Sequence, residues 1–369
     1  MIRTSIRRAV VPGFAVLALA LTGCGSNSDS AGGSDGGSGS GSLSGTLSGG
    51  GSSAQDAAQQ AWRAGFQSAN SGVTVNYDPV GSGSGRENFI SKAYSFAGSD
   101  SAINDDEGEL TKAKERCGGD DPVEVPVYVS PIAVIYNLPG VDQLQLDAKT
   151  VADIFNGKIT KWNDAAIASQ NDGVDLPDTT ITPVHRSDDS GTTDNFTQYL
   201  SAAGDGAWTY DPDGVWPIKG GEAGEGTSGM VAAVKGGEGT IGYADESQAG
   251  GLGIVSLKVG EEYNAPSAEG AAKALAVSKP ADTASATMMP YDVDRTTTES
   301  GAYPLILVSY ELACQTYSDA NEAALVQGYL SYMVSDEGQQ AAAENAGSAP
   351  LDSSIAEQAQ KIVGAISAG

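Results

Sequence analysis

The sequence predicts an α/β protein built from two lobes or two domains. Its 369 residues exceed what a single hydrophobic core usually serves. In addition, three separate segments each run from a strand-like stretch through a Gly/Ser-rich turn into a helix-like stretch. Repeated strand–turn–helix units are typical of α/β folds.

The first unit occupies residues 45–66, GTLSGGGSSAQDAAQQAWRAGF. Ala58, Trp62 and Phe66 follow one another at intervals of four, which predicts the apolar stripe of an amphipathic helix. Ser52 or Ser53 is placed to cap the start of that helix, since a serine hydroxyl can accept from the free backbone N–H groups there.

The other two units lie at 73–94 and 181–200. In the former, VTVNYDPVGSGSGRENFISKAY, apolar residues alternate as in a strand and GSGSG forms the predicted turn. In the latter, ITPVHRSDDSGTTDNFTQYL, a strand-like stretch precedes SGTT and a helix-like stretch follows it.

Such turns favour anion binding. A helix N-terminus presents unpaired backbone N–H groups and a partial positive charge. Glycine allows close approach of the backbone to a ligand, and Ser and Thr add hydroxyl donors. The alternative is that all three are ordinary capped turns between strand and helix, and the turns alone leave both interpretations open.

Composition excludes several classes of partner and site. The chain carries 47 acidic and 20 basic residues, a formal charge of −27, which argues against nucleic acid or an anionic membrane face as a partner. A small anion in a sheltered site remains compatible with that charge. No metal-ligand cluster, nucleotide-binding loop or catalytic constellation is found, so we expect no metal, no cofactor and no enzyme activity. The single histidine, His185, is expected to be a strand residue beside the site.

The N-terminus has the pattern of an export signal. Basic residues near the start precede an apolar stretch at 10–21, and Leu-Thr-Gly-Cys at 21–24 resembles the lipobox of bacterial lipoproteins. We therefore expect residues 1–24 to be a signal peptide with Cys24 as the lipidated residue; an ordinary secretory signal is the alternative. Residues 25–42, rich in Gly and Ser, are expected to be a flexible tether. The folded part would then lie outside the cytoplasm, anchored to the cell membrane.

Two further cysteines, Cys117 and Cys314, remain besides the lipidation site. Outside the cell two cysteines more often pair than stay free, so a disulfide between them is possible.

The sequence resembles the PstS-type phosphate-binding proteins of bacterial phosphate-specific ABC importers, from about residue 45 to residue 360. The Arg-x-Asp-x-Ser-Gly-Thr run within HRSDDSGTT is the specific element of this resemblance. The other matching stretches are SGGGSS (48–53), VNYDPVGSGSGRENFISKAYSFAGSD (75–100), IFNGKITKWND (154–164), GTIGYAD (239–245) and AYPLILVSY (302–310).

The resemblance implies a periplasmic-binding-protein-like fold: two α/β lobes joined by two crossover strands, with a ligand cleft between the lobes. The β-rich run at 123–137 suits the first crossing, and residues 304–312 would form a strand of lobe I. Lobe I would comprise residues 43–128 and 290–369, and lobe II residues 129–289. Cys117 and Cys314 would then share lobe I.

The resemblance also implies the ligand contacts. The positions that match the phosphate-binding residues of the family are Ser53, Ala54, Ser82, Asp100, Arg186, Ser190, Gly191 and Thr192. Asp188 matches the carboxylate that pairs with the arginine. The family usually has Thr-Phe where this chain has Ser-Ala, so the hydroxyl is kept and the aromatic ring is lost. An ionised Asp100 can only accept a hydrogen bond, which favours phosphate that bears a proton over fully deprotonated sulfate.

The function implied is capture of inorganic phosphate outside the cytoplasm and its delivery to the membrane permease and ATPase subunits of an ABC importer. Three alternatives stay open at this stage. The cradle could hold a phosphoryl group for an extracellular phosphohydrolase, the chain could be a lipid-anchored adhesion or signalling protein, or the ligand could be another oxyanion such as sulfate, molybdate or a phosphonate.

Overall fold

The computed structural model describes residues 43–369. The predicted signal peptide, the lipidation site at Cys24 and the tether at 25–42 lie outside the described residues. No helix within residues 43–369 has both the length and the apolar character needed to cross a membrane.

The first part of the described chain alternates strands and helices. Its elements are β1 (Ser44–Gly51), α1 (Asp56–Ala69), β2 (Gly72–Asp78), α2 (Ser82–Ile90), β3 (Phe96–Ser99), α3 (Glu109–Arg116) and the long β4 (Val123–Asn137).

The middle part begins with short elements and continues with the third of the strand–turn–helix units. Its elements are β5 (Leu144–Leu146), α4 (Ala148–Phe155), α5 (Ala165–Ala168), β6 (Thr182–Arg186), α6 (Gly191–Ala203), β7 (Glu222–Gly224), α7 (Gly226–Gly236), β8 (Thr240–Asp245), a 3₁₀ turn (Glu246–Gln248), β9 (Gly253–Val259), β10 (Glu262–Asn264) and α8 (Ala268–Ala276).

The last part returns through a short hairpin to a long strand and closes with helices. Its elements are β11 (Lys279–Pro280), β12 (Tyr291–Asp292), β13 (Ile306–Ala313), β14 (Thr316–Tyr317), α9 (Ala320–Met333), α10 (Asp336–Ala346), α11 (Ser353–Val363) and β15 (Ser367–Ala368).

The fold has two lobes that share one strand, β4. Strands follow the order β2-β1-β3-β13-β4-β8-β6-β7 across the main sheet. The first part of β4 pairs antiparallel with β13, from Val123 opposite Ala313 to Pro131 opposite Ile306. From Ile132 onward the same strand pairs antiparallel with β8. The prediction that 123–137 forms one long strand between the lobes is therefore confirmed, as is the strand predicted at 304–312.

The lobe boundaries stay a prediction. The change of partner along β4 falls between 131 and 132, a few residues after the predicted boundary at 128. Near the second boundary, at 290, Met288 forms a bridge with Glu124 of β4. Further on, the amide of Tyr303 donates to the carbonyl of Gly270 in α8, so the returning segment touches both halves.

Hydrophobic periodicity explains the first unit. Ala58, Trp62 and Phe66 are all buried, which confirms the predicted stripe of α1. The predicted cap is wrong, because α1 begins only at Asp56 and neither Ser52 nor Ser53 occupies the position before it. The turn between β1 and α1 is therefore longer than predicted, and the hydroxyl of Ser52 accepts within it from the amides of Ala54 at 3.1 Å and Gln55 at 3.4 Å.

In the other two units the helix begins earlier than the composition indicates. α2 starts at Ser82, so most of GSGSG lies in the helix and not in a turn. α6 starts at Gly191, with Ser190 at its N-cap, so the Gly-Thr-Thr part of SGTT is helical. Glycine and serine are common both in turns and at the first positions of helices. Composition alone therefore does not show where the turn ends and the helix begins.

A disulfide joins Cys117, just after α3, to Cys314, just after β13, with their Cα atoms 5.2 Å apart. Next to it the guanidinium of Arg116 lies 3.9 Å from the centre of the Phe89 ring and donates to the carbonyl of Tyr94 at 2.9 Å. The bridge joins the end of α3 to the end of β13 within the first lobe.

We expect the double variant Cys117→Ser/Cys314→Ser to fold but to lose stability, because the disulfide restricts the unfolded chain. A loop of 197 residues predicts a loss of about 3 to 5 kcal/mol in the free energy of unfolding. Urea unfolding followed by circular dichroism measures it. Equal stability of variant and wild type under oxidising conditions would contradict the expected contribution.

Candidate anion-binding site

The starts of α1, α2 and α6, which are distant in sequence, meet in the folded chain. The amide of Gly81 donates to the carbonyl of Gly51 at 2.8 Å, which joins the first two units. The amide of Gly83 donates to the carbonyl of Asp189 at 3.3 Å, which joins the second unit to the third. The first two units belong to one lobe and the third to the other, so the site lies between the lobes.

Two glycines permit this close approach. A Cβ on Gly191 would lie 2.7 Å from both the Cβ of Asp100 and the Oγ of Ser82, closer than real side chains come. A Cβ on Gly85 of α2 would lie 2.5 Å from the Cα of Gly51 at the end of β1. Any larger residue at either position would push the units apart.

Asp100 stands at the centre of the site. It follows β3 directly and is only 3% exposed. One carboxylate oxygen, Oδ1, accepts from the hydroxyls of Ser52 at 2.5 Å and Ser309 at 2.6 Å. The other, Oδ2, accepts from Thr192 at 3.2 Å, across the interface between the lobes. Its backbone amide donates to the hydroxyl of Ser82 at 3.1 Å.

Burial raises the pKa of the Asp100 carboxyl above its ordinary value. The hydroxyls of Ser309, Ser52 and Thr192, and the positive charge of Arg186, act in the opposite direction because they stabilise the ionised form. Burial is the larger effect. The hydroxyl partners therefore favour the ionised carboxylate, which can only accept hydrogen bonds.

Arg186 ends β6 and is also 3% exposed. Its Nε donates to Oδ1 of Asp188 at 2.7 Å, and its Nη2 contacts Oδ2 of the same carboxylate. The fork-to-fork geometry fixes the plane of the guanidinium. Burial acts to raise the pKa of Asp188, but the hydrogen bonds and charge of Arg186 outweigh it, and the pKa is lowered.

Ser53 connects the arginine to the opposite lobe. Its hydroxyl accepts from Nη2 of Arg186 at 3.2 Å and from the amide of Thr227 at 3.0 Å, and it also lies 3.0 Å from the hydroxyl of Thr227. Ala54, the next residue, is fully buried, and its amide donates to the hydroxyl of Ser52 at 3.1 Å. The predicted donor at Ala54 is thus used within its own turn.

The start of α6 forms a further side of the site, next to Asp100 and Arg186. Ser190 caps the helix by accepting from the amide of Thr193 at 3.2 Å. Gly191 and Thr192 provide the first N–H groups of the helix, which have no partner within a helix. The hydroxyls of Thr193 and Tyr243 lie 2.8 Å apart, and Tyr243 accepts from the amide of Arg186 at 3.3 Å. This contact ties α6 to the end of β6.

The structure brings together the predicted residues Ser53, Ser82, Asp100, Arg186, Asp188, Ser190, Gly191 and Thr192. His185 lies in β6 beside the site, as predicted, with its ring stacked on Trp216 at 5.4 Å.

Ser52, Ser309 and the start of α7 also contribute to the site, beyond the residues that the sequence predicts. Ser52 was considered only as a cap, and Ser309 in β13 carries no local signal at all. The start of α7 could be predicted from the sequence, because Glu-Gly-Thr-Ser-Gly at 225–229 has the same Gly/Ser/Thr-rich composition as the turns of the other units. Its Gly226 amide donates to Asp188 at 3.1 Å.

The geometry suits an oxyanion that carries a proton. Helix N–H groups, hydroxyls and a guanidinium are donors for anionic oxygens, whereas an ionised carboxylate can only accept. A ligand that satisfies both kinds of group must present bare oxygens to one side of the site and an O–H to the other.

Comparison with known proteins agrees with this chemistry. The family model described as "PBP superfamily domain" matches residues 36–337. "Phosphate-binding protein PstS2" of Mycobacterium bovis (strain BCG / Pasteur 1173P2) is 35% identical over 300 residues, 80% of each chain. "Phosphate-binding protein PstS" of Xylella fastidiosa (strain Temecula1 / ATCC 700964) is 35% identical over 272 residues, 70% of this chain and 69% of the relative.

Among solved structures, a high affinity periplasmic phosphate-binding protein (PfluDING) bound with phosphate aligns with a TM-score of 0.70, covering 86% of this chain and 93% of that one. At 21% identity this likeness supports the fold. The family match and the relatives at 35% identity go further: the chain belongs to the PstS-type phosphate-binding proteins of the PBP superfamily.

Proposed function

We propose that this protein binds inorganic phosphate between its lobes and delivers it to an ABC importer in the membrane. The observation that carries the proposal is the placement of Asp100, a buried acceptor, opposite the donors Arg186 and α6. The names of the relatives support phosphate as the ligand, and they favour binding and delivery over ester hydrolysis.

The donors account for attraction of the anion. The donors available to the anion are the Arg186 guanidinium, the hydroxyls of Ser53 and Ser82, and the helix-end N–H groups of Gly191 and Thr192 at the start of α6. A hydrogen bond to a charged group contributes about 1.5–3 kcal/mol net. The guanidinium is partly neutralised by Asp188, so the pattern of hydrogen bonds matters more than total charge.

Asp100 accounts for the selection of phosphate over sulfate. Its Oδ1 already accepts from two hydroxyls, whereas Oδ2 accepts only from Thr192 within the described residues, and at the longer distance of 3.2 Å. A carboxylate has about four acceptor positions. The proton of phosphate would therefore be accepted at Oδ2. Sulfate has no proton to give and would place a bare oxygen against a bare carboxylate, which is repulsive.

Delivery follows from closure of the two lobes. Ser53 and Thr192 each hydrogen-bond across the interface, so closure and the ligand stabilise the same state. A ligand shifts such an equilibrium by its difference in affinity for the open and closed forms. We further propose that the chain works outside the cytoplasm, anchored through lipidated Cys24, and that the tether at 25–42 keeps it close to the permease and its ATPase.

The variant Asp100→Asn should lose discrimination against sulfate. An amide can donate to a sulfate oxygen, so the ratio of phosphate to sulfate affinity should fall by about tenfold or more. Calorimetric titration with both anions measures the ratio. Asp106→Asn, an exposed position in the following acidic loop, is the matched control and should keep it. An unchanged ratio in Asp100→Asn would remove Asp100 from this role.

The variant Arg186→Ala should weaken phosphate binding by more than about tenfold, because it removes a charge-assisted donor and leaves Asp188 without its partner. Arg186→Lys should recover only part of the loss, since an ammonium cannot reproduce the fork with Asp188. Equilibrium dialysis with labelled phosphate provides the measurement. Near-normal binding by Arg186→Ala would show that the anion is held elsewhere.

A further inference from the structure

Two fully buried glutamines, Gln55 and Gln59, lie on the otherwise apolar inner face of α1 and just before it. Burying an amide is unfavourable unless its donors and acceptor are all used. Their hydrogen bonds lead toward the site, and neither residue is part of the ligand contacts proposed above.

The glutamines form a directed chain that ends on Asp100. Nε2 of Gln59 donates to Oε1 of Gln55 at 2.9 Å. Nε2 of Gln55 donates to the hydroxyl of Ser309 at 2.7 Å, and that hydroxyl donates to Oδ1 of Asp100 at 2.6 Å. Every link donates toward the carboxylate.

The far end of the chain sets its direction. The hydroxyl of Tyr329 donates to Oε1 of Gln59 at 2.8 Å, so the Nε2 group of that amide faces the other way. It meets two acceptors there, Oε1 of Gln55 and Oε1 of the buried Glu311 at 2.8 Å. Because Oε1 of Gln55 is thereby occupied, its Nε2 must face Ser309.

The orientation of Gln55 decides where the proton of Ser309 goes. A serine hydroxyl has a single proton to donate. Since Gln55 donates to Ser309, that proton is left for Asp100. If Gln55 presented its carbonyl oxygen instead, it would compete with Asp100 for the same proton.

We propose that Gln55 and Gln59 are positioning residues for Asp100: their relay directs the Ser309 proton onto Oδ1 and so keeps the carboxylate ionised and turned to accept from the ligand. This inference rests on the proposed function, because it concerns the group that selects phosphate. It adds two residues of α1 that lie outside the cradle itself.

The charged and titratable groups around Asp100 show why its ionised form requires stabilisation. Arg186 of β6 is the positive group, and Tyr77 of β2 and Glu311 of β13 are the other titratable ones. Burial raises the pKa of Glu311 well above its ordinary value; the hydrogen bond from Gln59 opposes this and the nearby Asp100 adds to it. Glu311 and Asp100 are therefore two buried acids close to each other, and hydroxyl donors favour the ionised form of Asp100.

The sign of the pH effect follows from this. Donation by Ser309 lowers the pKa of Asp100. Losing that donation raises the pKa further, so Asp100 becomes protonated at a higher pH on acidification. Phosphate binding, which requires the ionised carboxylate, should then weaken at a higher pH than in the wild type.

The test is calorimetric titration of phosphate and sulfate, from acidic to neutral pH, with wild type, Gln55→Leu and the control Gln60→Leu. Gln60 lies on the exposed face of α1, and its side chain donates to Asp56 at 3.0 Å. We expect Gln55→Leu to bind phosphate about three- to tenfold more weakly at neutral pH. The acid limb of its pH profile, the range over which phosphate affinity falls on acidification, should move to higher pH. The ratio of its phosphate affinity to its sulfate affinity should fall. Gln60→Leu should match the wild type in all three.

The outcomes separate the relay from the proposed function. A cooperatively folded Gln55→Leu with wild-type affinity and an unmoved acid limb overturns the relay alone. A wild type that binds no phosphate overturns the proposed function and the relay with it. Should Gln55→Leu fail to fold, Ser309→Ala removes only the last hydroxyl of the chain and must show the same shift of the acid limb. An unmoved limb in Ser309→Ala also overturns the relay.

Discussion

Burial of the Asp100 carboxylate at the meeting point of the two lobes is the constraint on which the site depends. An isolated buried charge is costly, so hydroxyls from three different segments must reach it: Ser52 after β1, Ser309 in β13 and Thr192 in α6. Two of these segments belong to one lobe and the third to the other. Satisfying Asp100 fully is therefore possible only when the lobes are together, which links the selecting group to the closed arrangement.

The shared strand β4 connects the two lobes in that arrangement. Because its first part pairs with β13 and its later part with β8, both lobes are continuous with one strand and their helix starts face each other. Glycine at position 191 then lets α6 approach within contact distance of Asp100. Together these features bring the starts of α1, α2 and α6 and the guanidinium of Arg186 into one site, where the strongly acidic remainder of the chain has little influence.

Much of the fold could be predicted from the sequence, because the patterns that indicate single helices and strands are local. The stripe of Ala58, Trp62 and Phe66 and the long run at 123–137 depend on periodicity and β-rich composition within one element. Contacts that depend on register between distant strands had no such signal: Ser309 faces Asp100 because β13 pairs with β3, and its neighbours in sequence do not reveal it. Helix starts were misplaced for a different reason, since Gly and Ser favour both turns and first helical positions, as at Ser82.

A crystal structure of the protein with bound phosphate would show whether the anion lies against Asp100. We expect a single anion between the start of α6 and Asp100, with one oxygen at hydrogen-bond distance from Oδ2 and others facing the guanidinium of Arg186 and the hydroxyls of Ser53 and Ser82. An anion seated elsewhere, or one that leaves Asp100 with no ligand oxygen beside it, would contradict this expectation.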